Sequence, residues 1–365
     1  MAVYESCIRP LLFLLPPEPA HKLGRWVLAG KQPWQALSER FQVRDARLET
    51  EVVGLRLQTP IGLSAGFDKD VETLPGVPRL GFGVVTVGTI MPKPRAGNPG
   101  PRLLRRPREM GLVNSLGLPS KGLEHAVRSL SRRRESHRAG GPPVIANIGG
   151  FSVEEILTSH RAVEPLVDAA EIDWICPNQK ERPDLNELDL TARLMEEVSA
   201  ERRKPLFLKL PLRMSEENWR RALAMADIAA RCGQDGVSMG GGMMHDNPRL
   251  AVGRGNLTGL SVFDNTLRIV RDLRSRIDER LIIKTAGGVF DEEGAFRLLE
   301  AGAGIVDILT SFVYLGPSAP ARISRGLVRK MDEEGIGSVR DLRPWSSAPA
   351  AHSSEQGANL VHDSL

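Results

Sequence analysis

A (β/α)8 TIM barrel with an N-terminal helical extension is the fold that the sequence predicts, and three observations predict it. Eight short apolar runs recur between residues 61 and 310. Amphipathic helical stretches lie between most of them, and several runs end in small or amide residues. Parallel strands buried on both faces read as continuous apolar runs, and alternation with helices is how such a sheet is built. A doubly wound open sheet shares this alternation, because strand count alone does not close a barrel.

The elements follow in order. Residues 1–50 read as helical and separate from the rest. Ile8, Leu11, Leu12, Leu14 and Leu15 form one apolar segment, Pro16-Pro17 breaks it, and Ala20, Leu23, Trp26, Val27 and Leu28 form a second. Two short amphipathic helices with a proline hinge suit a cap over the core or an interfacial membrane anchor. Apolar helical faces usually pack on protein, which favours the cap. A polar hairpin is expected over 51–57. Barrel strands are expected at 61–64, 84–88, 144–147, 172–176, 206–210, 236–239, 281–284 and 306–310. Helices are expected at 153–170, 189–199, 216–231, 262–276, 291–301 and 319–331. The barrel domain spans 51–335, and the tail 336–365, rich in Ser, Ala and Pro from Pro344, reads as disordered.

Composition excludes several functions. The 365 residues carry 49 basic and 45 acidic side chains, a net charge of only +4. The densest basic cluster, Arg132-Arg133-Arg134, has no interleaved aromatic residue, so no nucleic-acid partner is expected. Three scattered cysteines, Cys7, Cys176 and Cys232, suit a reducing cytosol rather than a disulfide framework. Neither a spanning apolar run nor a signal peptide is expected, so the location reads as cytoplasmic, with the inner face of the cell membrane as a peripheral site.

The chemistry should gather where strands end. Ile172-Asp173-Trp174-Ile175-Cys176-Pro177-Asn178 places a thiol just past the fourth strand. Cys176 fits a buried structural thiol, a general base or a nucleophile. Ala65-Gly66-Phe67-Asp68-Lys69-Asp70 follows the first strand; Gly66 permits close approach of a flat ligand beside the Lys69 cation, although a solvated glycine turn reads the same way. Gly88-Thr89 leads into a stiff proline-rich loop over 92–102, and long rim loops often carry function. Asn147 stands before Gly149-Gly150. Lys209 lies within an apolar strand, which is costly without a partner and points to a ligand. Gly287-Gly288 and Thr310-Ser311, after the last two strands, match the usual phosphate cradle of such barrels. No metal is expected, since HExxH and CxxC spacings are absent.

These residues, in this order, resemble the dihydroorotate dehydrogenase family over roughly residues 4 to 333. The matches are 62–70, the Gly88-Thr89…Pro92-Lys93-Pro94…Gly97-Asn98…Pro101-Arg102-Leu103 loop, Asn147-Ile148-Gly149 and Cys176-Pro177-Asn178. The N-terminal helices with Ala20-His21 resemble the quinone-using class 2 extension, which implies that they roof the barrel and admit a lipid quinone. The resemblance implies FMN as cofactor and oxidation of dihydroorotate to orotate, with a base taking the C5 proton and hydride passing from C6 to flavin N5. By position it implies FMN contacts at Ala65, Gly66, Lys69, Thr89, Asn147, Lys209, Gly259, Gly288 and Thr310. Lys209 would stabilise negative charge on the reduced ring. Asn114 and Asn178 would hydrogen-bond the substrate, Lys69 would hold its carboxylate, and Cys176 takes the place of the base. His21 and Arg102 would border the quinone path.

Departures cluster around the substrate. The class 2 base is usually serine, whereas this chain has Cys176. Asp173 replaces an asparagine on the cofactor side, and Leu309 a tyrosine. A substrate-binding Asn-Thr pair becomes Gly241-Gly242, and the loop after Asn114 also differs. Lost hydrogen bonds weaken discrimination, and Asp173 adds negative charge beside an anionic substrate. Three readings follow: a dihydroorotate dehydrogenase, a paralogous flavoenzyme acting on another ring or conjugated bond, and a non-catalytic flavin-binding protein. Retention of Cys176, Lys69 and Lys209 together argues against the third. Residues 179–188 are expected to form a lid.

Overall fold

The computed structural model describes residues 3–32, 34–136, 141–174 and 187–342. Eight parallel strands close into a barrel: β1 (Ile61–Leu63), β2 (Val84–Ile90), β3 (Val144–Gly149), β4 (Ala169–Asp173), β5 (Leu206–Lys209), β6 (Gly236–Gly240), β7 (Ile282–Ala286) and β8 (Ala303–Ile308). Each pairs with its sequence neighbours, and β8 returns to β1 through the register Val306↔Ile61. Closure removes every edge, which settles the open-sheet alternative.

Period-2 alternation along the strands writes the barrel interior in layers. At the bottom, Val84, Ile145, Ala169, Phe207, Ile282 and Ile305 pack with Val52, Leu55 and Leu57 of the hairpin Thr50–Val52/Leu55–Leu57. That hairpin, expected from sequence, plugs the N-terminal end. Two residues further along each strand the interior turns polar, with Asn147, Glu171, Lys209, Lys284 and Asp307. Above this layer lies the rim.

The outer helices follow the expected pattern. Glu216–Arg231 and Ala319–Glu334 begin where expected, and Ser215 caps the former by accepting from the Asn218 N–H. Two strands need correction. The eighth runs Ala303–Ile308 rather than 306–310, with Thr310 opening the helix Thr310–Leu315. The fourth runs Ala169–Asp173 rather than 172–176, and the preceding helix stops at Val163 instead of 170. Pro165, in the short turn Glu164–Leu166, ends the helix early and shifts the strand. Cys176 therefore lies three residues beyond the strand end, outside the described residues, as does Asn178. Of the expected lid, only 187 and 188 are described, and they open the helix Glu187–Glu201. The tail expected from Pro344 also lies outside the described residues.

Several features went unread in the sequence, including the helix Leu123–Ser136 between β2 and β3. A helix, Trp34–Phe41, follows the N-terminal pair. The 92–102 loop leads into a four-stranded antiparallel sheet over the barrel rim, built from Leu103–Arg106, Gly111–Asn114, Met243–Asp246 and Arg254–Gly259. Its strands come from two excursions more than a hundred residues apart, so no local pattern joins them.

The helices Arg9–Leu14 and Pro17–Ala29 are tethered to this rim. Tyr4 donates to the Val313 carbonyl (2.8 Å), Arg25 pairs with Asp70 (3.0 Å), and Arg102 pairs with Glu18 (2.8 Å). The Arg105 guanidinium lies over the Phe13 ring at 4.4 Å.

Candidate active site

A cavity of about 660 Å³ opens at the C-terminal rim and runs beneath the N-terminal helices. Its floor is the polar layer. Lys284 Nζ sits 2.8 Å from Glu171 Oε2 and 2.7 Å from Asp307 Oδ2, with all three side chains buried. Asn147 donates to Glu171 Oε1 at 2.6 Å. Burial pushes the Glu171 carboxyl up, but Lys284 and Lys209 outweigh it and hold it below its usual value. Burial raises Asp307, and Lys284 does not fully offset that. For Lys284 itself burial pulls down, while Asp307 and Glu171 prevail and raise it. The layer is a clamped ionic cluster under the cavity.

Lys209, whose place in an apolar strand called for a partner, has one within the protein and also faces the cavity. Its ammonium is 2.6 Å from Asp173 Oδ2, while Thr89 Oγ1 donates to the same oxygen at 3.4 Å. Lys209 and Asp173 both line the cavity. The Asp173 charge expected to repel an anion is thus compensated by Lys209.

Lys69 lines the same cavity and donates to the Gly66 carbonyl. Burial first, and Arg25 second, pull its ammonium down to about 8. Its neighbour Asp68 is not solvated: the buried carboxylate accepts from the Glu72 and Thr73 N–H groups (2.9 and 2.8 Å) and fixes the turn that presents Lys69. An anion held by Lys69 should therefore bind with constant affinity below about pH 8. Above it affinity should fall about tenfold per unit, because the charged form must first be regained. Titrations with a carboxylate ligand at pH 6 to 10 check this, and a flat profile removes Lys69 from the anion site.

Ala65, Gly66, Thr89, Asn114, Gly242, Gly288, Leu309 and Thr310 also face the cavity, as the sequence led us to expect. Asn147, Gly241, Gly259 and Arg102 are not among its lining residues. Asn147 lies in the floor, and Arg102 staples the roof through Glu18. Gly241 is closed off by Thr266: a Cβ there would sit 1.9 Å from Thr266 Oγ1. Gly259, at φ 114°, packs against Met110, whose carbonyl oxygen would be 2.3 Å from such a Cβ.

Sequence reading named Ser311 with the phosphate cradle but missed Asn256, Glu171, Lys284 and Asp307 as cavity residues. The last three carried a usable signal, a charge inside an apolar strand, the same one that marked Lys209. Ser311 Oγ is buried without a partner beside Thr310 and Gly288, which suits an incoming phosphate. Asp173 Oδ1 is likewise an unpaired acceptor. At the roof, His21 Nε2 donates to the Phe67 carbonyl (3.0 Å). Burial, then Lys69 and Arg25, push the imidazole down to about 3, so it is neutral. Groups of His, Cys, Asp and Glu able to hold a metal are absent among the described residues.

A closed parallel barrel with a rim cavity lined by Lys69, Lys209 and Lys284, and with a buried unpaired hydroxyl at Ser311, has the architecture of an enzyme that takes an anionic, phosphate-bearing ligand at its rim. A family model described as dihydroorotate dehydrogenase matches residues 47–331. The chain is 32% identical to "Dihydroorotate dehydrogenase (quinone)" of Rhodococcus opacus, covering 93% of this chain and 98% of that one. It is 33% identical to the Thermus thermophilus protein of the same name, covering 91% and 98%. Among solved structures, the Eimeria tenella enzyme in complex with ferulenol superposes with a TM-score of 0.80 at 26% identity, covering 90% and 94%. The chain belongs to the dihydroorotate dehydrogenase family.

Proposed function

We infer that this chain oxidises dihydroorotate to orotate with FMN as cofactor and a quinone as electron acceptor, a step of pyrimidine biosynthesis. The observation that carries this reading is one continuous cavity linking Lys69 and Lys209 at the rim to an apolar helical roof. The paralogous-substrate alternative is not favoured. Relatives bearing the quinone-type name cover nearly the whole chain, and Lys209 balances Asp173.

The residues present fit FMN. Ser311 and Thr310 with Gly288 would take the phosphate, Ala65 and Gly66 would border the ring, and Lys209 would face its electron-rich edge. Bound FMN supplies the hydride acceptor and the relay to the quinone. Lys69 holds the substrate carboxylate and Asn114 pairs with a ring amide; Cys176 and Asn178, outside the described residues, keep the roles of base and substrate partner that the resemblance implies. Neutral His21, with one nitrogen committed to Phe67, leaves the other as an acceptor at the roof end. The test is anaerobic mixing of the flavoprotein with dihydroorotate. Bleaching of the flavin and its recovery on adding a quinone are expected; a flavin that stays oxidised overturns the reading.

The helical roof also suits a peripheral membrane surface. No helix among the described residues is long and apolar enough to cross a membrane. Yet Leu14 is 82% and Trp26 74% exposed, with Leu11 beside them, so the outer face of the roof is apolar and uncovered. Leu14→Glu/Trp26→Glu is expected to cut co-sedimentation with lipid vesicles severalfold without lowering Tm. Unchanged co-sedimentation argues that the roof serves the cavity alone.

A further inference from the structure

The substrate end of the cavity holds an amide that the sequence pattern did not predict. Asn256 lies on Arg254–Gly259, directly opposite Asn114 in the antiparallel register, so both side chains project from the same face. Asn114 Nδ2 donates to the Asn256 carbonyl at 3.2 Å, and both residues line the cavity. The Asn256 amide lies against Gly242. A Cβ on Gly242 would be 2.3 Å from Asn256 Oδ1 and 2.7 Å from Nδ2. The amide therefore fills the space that a side chain at position 242 would occupy.

The neighbouring position cannot supply the same group. A Cβ on Gly241 would be 2.7 Å from the Thr266 Cα, and the Gly241 carbonyl is engaged by Asn265 Nδ2 at 2.9 Å. The start of the following helix has closed over it. Asn256 Oδ1, by contrast, is buried and has no hydrogen-bond partner. Leaving a buried acceptor without a partner is unfavourable, a cost that a purely space-filling residue would not incur.

We propose that Asn256 is the specificity-determining residue that replaces the missing Asn-Thr pair. Its amide edge pairs with the adjacent N–H and C=O of a planar cyclic amide, the ring edge that dihydroorotate and orotate present. Asn114 and Asn256 then form a two-amide clamp, and the glycine at 242 is the space made for it. This rests on the dihydroorotate reading above.

The test is orotate binding to the flavin-loaded protein, followed by perturbation of the flavin spectrum. Asn256→Leu keeps the shape and removes the amide; it is expected to raise the orotate Kd at least tenfold with flavin content unchanged. Benzoate, an aromatic carboxylate with no ring amide, should bind wild type and variant alike. Gly242→Ala, which displaces the amide, should mimic Asn256→Leu. An Asn256→Leu protein that binds orotate like wild type overturns the proposal alone. Wild type that does not bind orotate overturns the dihydroorotate reading and the proposal with it.

Discussion

Replacing Lys284 with methionine is expected to lower stability by about 3–5 kcal/mol, the usual consequence of removing one partner from a buried ionic cluster. Lys284 is the single ammonium between Glu171 and Asp307, at 2.8 and 2.7 Å, and all three side chains are at least 96% shielded from solvent. Without it two carboxylates face one another in the barrel floor, and one must take a proton or the floor must open. The denaturant midpoint reports the loss. The combined variant Lys284→Met/Glu171→Gln/Asp307→Asn should recover most of it, because the charges leave together. If the single and combined variants are equally unstable, packing rather than charge governs the site.

Cys176→Ala is expected to slow reduction of the bound flavin by dihydroorotate 10²- to 10⁴-fold, about 3–5 kcal/mol in barrier, the usual contribution of a positioned base. Flavin content should not change, because the cavity residues suited to FMN lie on other elements. Cys176→Ser separates the base from a bystander. A hydroxyl is far less acidic than a thiol, so the rising limb of the pH–rate profile should move to higher pH. Stopped-flow absorbance at 450 nm measures both. A Cys176→Ala protein reduced at the wild-type rate assigns the proton to another group.

Much of this architecture was legible beforehand. The eight strands declared themselves because parallel strands are covered on both faces and need apolar residues throughout. The rim was legible because Gly66, Gly288 and Thr310 stand just past strand ends in place of apolar residues, and all three line the cavity. Lys209 was legible as a charge among leucines. What it touches was not, since Asp173 is thirty-six residues away and faces it only after the barrel closes. Asn256 was illegible for a similar reason: nothing around Gly255-Asn256-Leu257 distinguishes an edge-strand amide from a cavity amide.

By itself, then, the order of residues determined the alternation of eight strands with helices, the separate helical segment before them and the family resemblance, whereas closure of the sheet is a tertiary outcome. Periodicity, turn residues and motif spacing are local, and they survive without coordinates. The tertiary structure alone decided which charges cancel: Lys209 with Asp173, and Lys284 between Glu171 and Asp307. It also decided that Gly242 is vacant because Asn256 fills its place. Those outcomes depend on strand register and on the meeting of two distant excursions over one rim, and side-chain pairing energies act only at the few ångströms that closure creates.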